Sequence, residues 1–151
     1  MVARAQLRLA LAIACIAGGS GAALGARTDW TGSAACGACH PGELAAWQVT
    51  RHATTRDRFA ARPEPRCLGC HTTGDAPAGP VIAFEVGCEA CHGAGAAYAE
   101  ADIMRDRPVA VALGLGDLAT PAARAAVCAR CHRRATRGTP FDPTAPVHPR
   151  P

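Results

Sequence analysis

The chain has 151 residues, a length suited to one domain. All sixteen basic residues are Arg; they mix with twelve acids to a formal net charge of +4, and no basic run stands out to support nucleic-acid binding. Aromatics are 4% of the chain against nine cysteines, so a core built on large side chains is ruled out as the main source of stability, and a cysteine- or metal-based staple is expected.

Residues 1–26 read as a signal peptide. Arg4 and Arg8 form a basic start, 9–17 is an apolar stretch, and small residues follow to Ala26. Export to the periplasm is the expectation. The apolar stretch is too short and glycine-rich for a secure membrane span of about 20 residues. The alternatives are an uncleaved anchor or a lipid on Cys15, although Ala12-Ile13-Ala14 lacks the Leu that a lipidation signal prefers. Otherwise Cys15 is one more apolar residue of a discarded peptide.

Residues 27–138 hold the domain and every other cysteine. Each of these eight falls in one pattern, Cys-x-x-Cys-His. The copies are Cys36-Gly37-Ala38-Cys39-His40, Cys67-Leu68-Gly69-Cys70-His71, Cys88-Glu89-Ala90-Cys91-His92 and Cys128-Ala129-Arg130-Cys131-His132. In an oxidising compartment cysteine pairs usually mean disulfides, but this spacing is the c-type heme attachment signature. Two residues three apart on a helical turn share a face. Both thiols then reach the vinyl groups of one porphyrin, and the next residue turns its imidazole to the iron. A single copy could mimic a redox pair or half a zinc site. Four copies with no mature cysteine left over point to four covalent c-type hemes, with His40, His71, His92 and His132 as proximal iron ligands.

Among the intervening segments, 41–50 is expected to be a helix with Leu44 and Trp47 on its apolar side, and Pro63 and Pro65 break the chain before the second motif. A turn-rich loop over 72–80 and a short extended segment over 81–86 should follow. An Ala-rich helix is expected over 94–107, ended by Pro108. A last helix should start with Thr120 as cap and Pro121 at its first position and lead into Cys128. The tail 139–151, with prolines at 140, 143, 146, 149 and 151, should be irregular.

The mature chain is about 125 residues, about 31 per heme, too few for a large aliphatic core beside the cofactors. The porphyrins themselves are expected to be the apolar interior, close enough to one another for electron hopping. Fourteen Arg and twelve acids remain after the leader, and the heme propionates take the holoprotein toward a negative net charge. Arg51, Arg56, Arg58, Arg66 and Arg130 are candidate propionate partners by nearness to the motifs, or simply solvated surface groups.

Ligand arithmetic is tight. Besides the motif histidines the chain has only His52 and His148, it has no Lys, and Met104 is its sole Met after the initiator. At most two irons can take a second imidazole from within the chain, and at least one should lack a strong distal ligand unless Tyr98 or another molecule supplies it. His52 follows His40 by a span of about 18 Å if helical, so it should serve another heme or else be an exposed His beside Arg51. His148 either folds back from the tail onto a heme or frays with the terminus. Met104 is a weak distal candidate that also reads as a helix packing residue.

Several motif flanks resemble the cytochrome c-554 family of multiheme c-type cytochromes. Cys36-Gly37-Ala38-Cys39-His40-Pro41 followed by Trp47, Thr50, His52 and Ala53 looks like that family's first heme segment. Cys70-His71-Thr72-Thr73-Gly74 is similar to its second, and Gly87-Cys88-Glu89-Ala90-Cys91-His92-Gly93 is the most specific match. The similarity spans most of 33–134. It implies a mainly α fold with much irregular coil, wrapped around four stacked, covalently bound hemes, and a role in periplasmic electron transport. It also implies that His52 is a distal ligand. Relatives often place a further His soon after Cys-His-Gly, whereas this chain has Gly95-Ala96-Ala97-Tyr98.

Three functions follow as expectations. The first is an electron carrier with no catalytic residue, working between redox protein donors and acceptors that include a membrane quinol-oxidising complex. The second is a small reductase of nitrite, hydroxylamine or nitric oxide at a five-coordinate heme. The third is a heme subunit docking on a larger oxidoreductase.

Overall fold

A computed structural model describes residues 29–58, 64–76, 78–132, 142 and 147–148. The expected leader 1–26 lies outside the described residues, as does the tail 139–151 apart from Asp142, Val147 and His148. The described backbone is mainly helical, with much coil and one small two-stranded sheet.

Two helices, α1 (Ser33–Gly37) and α2 (Pro41–Gln48), follow each other with barely a break. The His40 N–H donates to the Cys36 carbonyl at 3.0 Å and the Leu44 N–H to the His40 carbonyl at 3.0 Å. Pro41 opens α2 because its missing N–H falls where a helix donor has no partner within the helix. Trp47, on the last turn, is buried and donates from Nε1 to the Val86 carbonyl at 2.9 Å. A turn through 49–54 leads to the 3₁₀ helix Thr55–Arg58. The buried Thr55 hydroxyl lies 3.2 Å from the carbonyls of both His52 and His71.

Helix α3 (Pro65–His71) again starts on Pro, and the Thr72 hydroxyl donates to the Leu68 carbonyl at 2.7 Å to close its end. The sheet pairs β1 (Thr73–Gly74) with β2 (Val81–Ala83) in antiparallel sense, Thr73 opposite Ala83 and Gly74 opposite Val81, with a bulge between Thr73 and Gly74. The extended segment expected to reach 86 stops as a strand at Ala83. Beyond it the buried Thr73 side chain takes over from a neighbouring strand: its hydroxyl donates to the Glu85 carbonyl and accepts from the Gly87 N–H, both at 2.8 Å.

Helix α4 (Cys88–His92) ends at Gly93, whose φ is +85. A Cβ at Gly93 would also meet the Gly114 carbonyl oxygen at 2.5 Å, so the site takes glycine on both counts. The close approach lets the Gly116 N–H donate to the His92 carbonyl at 2.8 Å.

The helix expected over 94–107 does not form as one piece. The chain makes a 3₁₀ turn Gly95–Ala97, then α5 (Ala101–Arg105), then α6 (Arg107–Ala112). Pro108 opens α6 rather than ending its predecessor. The Asp106 side chain accepts from the Val109 N–H at 3.2 Å and caps a new helix, and a proline in a first turn sacrifices no helical hydrogen bond. Helix α7 (Pro121–His132) is capped as expected, the Ala123 N–H donating to Thr120 Oγ1 at 3.1 Å, and it runs on through the fourth motif.

Helix α1 packs on α4 and α3 on α7. Among the described residues the buried apolar side chains are Trp47, Tyr98 and Ala110, and no large side chain is wholly removed from water. No described helix is long and apolar enough to cross a membrane.

Candidate functional site

All four Cys-x-x-Cys-His motifs sit on helical turns. Cys36 lies in α1 with Cys39 and His40 just beyond it, the second motif closes α3, the third is the whole of α4, and the fourth closes α7. In each, a cysteine pair three apart is followed at once by an imidazole, because one helical turn brings those positions together. All eight described cysteines carry free thiols. Eight thiols arranged as four such pairs suit thioether attachment of porphyrins, and the chemistry of the donor set fits c-type heme.

The motifs also approach one another. The Cys36 thiol hydrogen-bonds Cys88, joining the first motif to the third. That bond, aided by the Ser33 hydroxyl and opposed by burial, brings the Cys88 thiol down to about 6, while Cys36 is pushed up in return. The Cys131 thiol, raised to about 11 first by burial and then by its hydrogen bond with Cys70, joins the fourth motif to the second. Cys91 is raised first by burial and then by the nearby Cys128, which brings the third motif beside the fourth. Arg130 spans the same junction, donating from Nη2 to the Ala90 carbonyl at 2.8 Å. An open cleft of about 380 Å³ lies there, lined by Cys91, Leu118, Ala126 and Val127 among others.

The two histidines outside the motifs each lie against a motif imidazole. The His52 and His132 ring centroids are 6.1 Å apart with perpendicular planes. Those of His92 and His148 are 6.0 Å apart at an interplanar angle of 37°. Two imidazoles on opposite sides of one metal ion, each with a metal–nitrogen bond of about 2 Å, have centroids about 6 Å apart, so both separations suit a shared iron. His52 is held below the usual imidazole range first by burial and then by the charge of His132. His92 is held down first by burial, then by His148, His40 and Arg107. Both shifts favour the neutral ring, whose lone pair is the one a metal needs.

Other candidates fall elsewhere. Tyr98 is buried and its hydroxyl donates toward the carbonyls of Gly93 at 2.7 Å and His92 at 3.0 Å. Burial, ahead of the nearby Cys36 and Glu89 charges, raises that phenol. Tyr98 thus fastens the end of α4. Met104 is half-buried on α5. Arg66 pairs with Glu64 at 2.6 Å on the surface, Arg51 is exposed, and the Arg56 and Arg58 side chains lie outside the described residues.

Residues 35–93 match the family model described as cytochrome c554 and c-prime. That segment is similar to the cytochrome c554 family. The match takes in the first three motifs and is narrower than the resemblance over 33–134; the fourth motif lies beyond it. No curated protein and no solved structure matches the chain. The family implies c-type heme and suggests heme-based electron transfer in broad terms, and a mainly helical, coil-rich fold agrees with it.

Sequence reasoning passed over three residues that organise this site. Thr55 sits between the His52 and His71 carbonyls. Ser33 receives the Cys88 N–H at 3.3 Å. Glu89 is a buried acid inside the third motif. An acid between two heme-binding cysteines was a visible signal, but its partners at Thr31, Gly32 and Gly95 are made neighbours only by folding.

Proposed function

We propose that the chain is a periplasmic tetraheme c-type cytochrome that passes electrons between redox partners. Cys36/Cys39, Cys67/Cys70, Cys88/Cys91 and Cys128/Cys131 would each fasten one heme, with His40, His71, His92 and His132 as proximal ligands. His52 would ligate the iron opposite His132, and His148 the iron opposite His92. The observation that carries this reading is the pair of centroid separations, 6.1 and 6.0 Å, each joining a motif imidazole to one of the two remaining histidines. When bound, each heme iron takes up and releases one electron.

The thiol contacts support a spatial order of hemes 1–3–4–2 for the motifs numbered along the chain. Electrons entering at one end would then pass the third and fourth motifs to reach the other. The scarcity of buried apolar side chains among the described residues supports porphyrins as the interior of the holoprotein. The donors and acceptors would be redox proteins, among them a membrane quinol-oxidising complex. The test is mass analysis of the exported, mature chain together with its optical and EPR spectra. Added mass of four hemes and two bis-imidazole low-spin signals are expected. Free thiols or bound zinc would overturn the reading.

A specific observation keeps the reductase reading in play. With His52 at His132 and His148 at His92, and with the Tyr98 hydroxyl bonded to backbone, Met104 is the one remaining ligand candidate for the two further irons, those of His40 and His71, and can serve only one of them. At least one iron would then be open to a small ligand such as nitric oxide, nitrite or hydroxylamine. A high-spin ferric signal that shifts on adding nitric oxide, with turnover, would favour a reductase; no response would leave the carrier.

A further inference from the structure

Glu89 is 2% exposed, yet it carries a carboxylate in the middle of the third motif. Its Oε1 accepts from the Thr31 N–H at 2.9 Å, the Thr31 hydroxyl at 3.1 Å and the Gly95 N–H at 2.6 Å, and its Oε2 accepts from the Gly32 N–H at 2.7 Å. Every one of these partners is a donor. A carboxylate is acceptor-only and suits all of them, whereas an amide would turn an N–H₂ toward one of these donors. Gly95 is part of the fit: a Cβ there would come within 2.8 Å of Thr31 Oγ1 and 3.0 Å of Glu89 Oε1. The surroundings are therefore built to hold an anion.

That anion lies where the first and third motifs meet. It directly follows Cys88, whose thiol bonds Cys36. Its charge is felt at Cys36, where it adds to the larger effects of the Cys88 hydrogen bond and of burial, and at Tyr98. A structural pin alone is served as well by neutral hydrogen-bonding groups, and a buried charge carries a desolvation cost that a neutral group avoids. In a low-dielectric setting such a charge acts on its neighbours far more strongly than in water.

We propose that Glu89 is a potential-setting residue whose fixed negative charge favours the ferric state of the hemes fastened by the first and third motifs, and so lowers their reduction potentials relative to the other pair. The proposal rests on the tetraheme reading above. The N–H groups of Gly32, Gly95 and Thr31 and the Thr31 hydroxyl moderate the field that the carboxylate projects. Electrons would accordingly rest on the second and fourth hemes, giving the 1–3–4–2 chain a downhill direction.

Two variants test this by opposite signs. In Glu89→Gln the charge is gone, and potentiometric titration of the holoprotein followed optically should show part of the heme absorbance titrating at higher potential while the remainder stays in place. In Thr31→Val the charge remains but loses its hydroxyl donor, so the same fraction should move to lower potential. Each variant loses a hydrogen bond of the same cluster, so mere loosening of the fold would move them in the same direction. Shifts of the same sign, or no shift in fully heme-loaded protein, overturn the proposal. If Glu89→Gln does not accumulate, Thr31→Val decides alone: a downward shift supports the proposal and an unmoved titration ends it. Heme mass is measured on each sample. Wild-type protein lacking hemes defeats the tetraheme reading and this inference together, whereas full loading with unmoved potentials defeats only the inference.

Discussion

The second and third motifs both lie within the segment of the chain that matches the cytochrome c554 model, and they are set into the fold very differently. Around Cys88–His92 the structure converges: Trp47 bonds the Val86 carbonyl, Thr73 holds Glu85 and Gly87, Ser33 receives the Cys88 N–H, Tyr98 and Gly116 reach the His92 carbonyl, and Arg130 reaches Ala90. Around Cys67–His71 the Thr72 hydroxyl bonds Leu68, the Thr55 hydroxyl bonds His71 and the Cys70 thiol bonds Cys131, and the helix starts among exposed residues. One motif is thus a junction touching the first and the fourth, and the other is an end. The same five-residue chemistry is embedded once as a hub and once as a terminus.

This contrast can be broken most sharply by removing thioethers. Replacing both cysteines of the third motif, Cys88→Ala with Cys91→Ala, should abolish accumulation of the holoprotein. The same change at Cys67 and Cys70 should leave a three-heme protein detectable by mass. Equal survival of the two would remove the distinction between hub and end.

Next in size are the spare imidazoles. His52→Ala should convert the iron at His132 from low to high spin, and His148→Ala the iron at His92, each seen as loss of one low-spin EPR component. The double variant should lose both, since the pairs share no residue. An unchanged low-spin signal in either single variant would disconnect that pair.

Smaller effects are expected from groups that only hold the hub. Tyr98→Phe leaves the Gly93 carbonyl without its phenol donor and should lower stability by about 1–2 kcal/mol, read as a lower Tm. Thr120→Ala removes the cap of α7 at a cost of about 1 kcal/mol. Least of all should be Glu64→Gln, which breaks the exposed pair with Arg66 near the second motif and should change stability by no more than about 0.5 kcal/mol. A larger effect there would mean that the second motif is held more firmly than the end of a chain of motifs needs to be.

Some of this architecture was legible along the chain. Thr120 with Pro121 announced the start of α7, and Pro41 that of α2, because caps and missing donors act within one turn. The helix expected over 94–107 is interrupted for an equally local reason: Asp106, two residues before Pro108, makes a fresh cap. The short reach of β2 was not legible, since its end depends on a Thr73 side chain that replaces a strand.

The attachment chemistry itself is written in one dimension. Cysteines three apart with a histidine next in line form a single helical turn, and whatever surrounds them, the two thiols and the imidazole keep that relation. Pairing the imidazoles is another matter. His52 meets His132, and His148 meets His92, although each pair lies far apart along the chain. Counting histidines left two rings outside the motifs, but only packing chose which motif imidazoles they lie against, because contacts between distant residues follow from how α3 lies on α7 and α1 on α4. The same holds for Glu89: its position in the motif is a matter of sequence, and its enclosure by Thr31, Gly32 and Gly95 is a matter of folding.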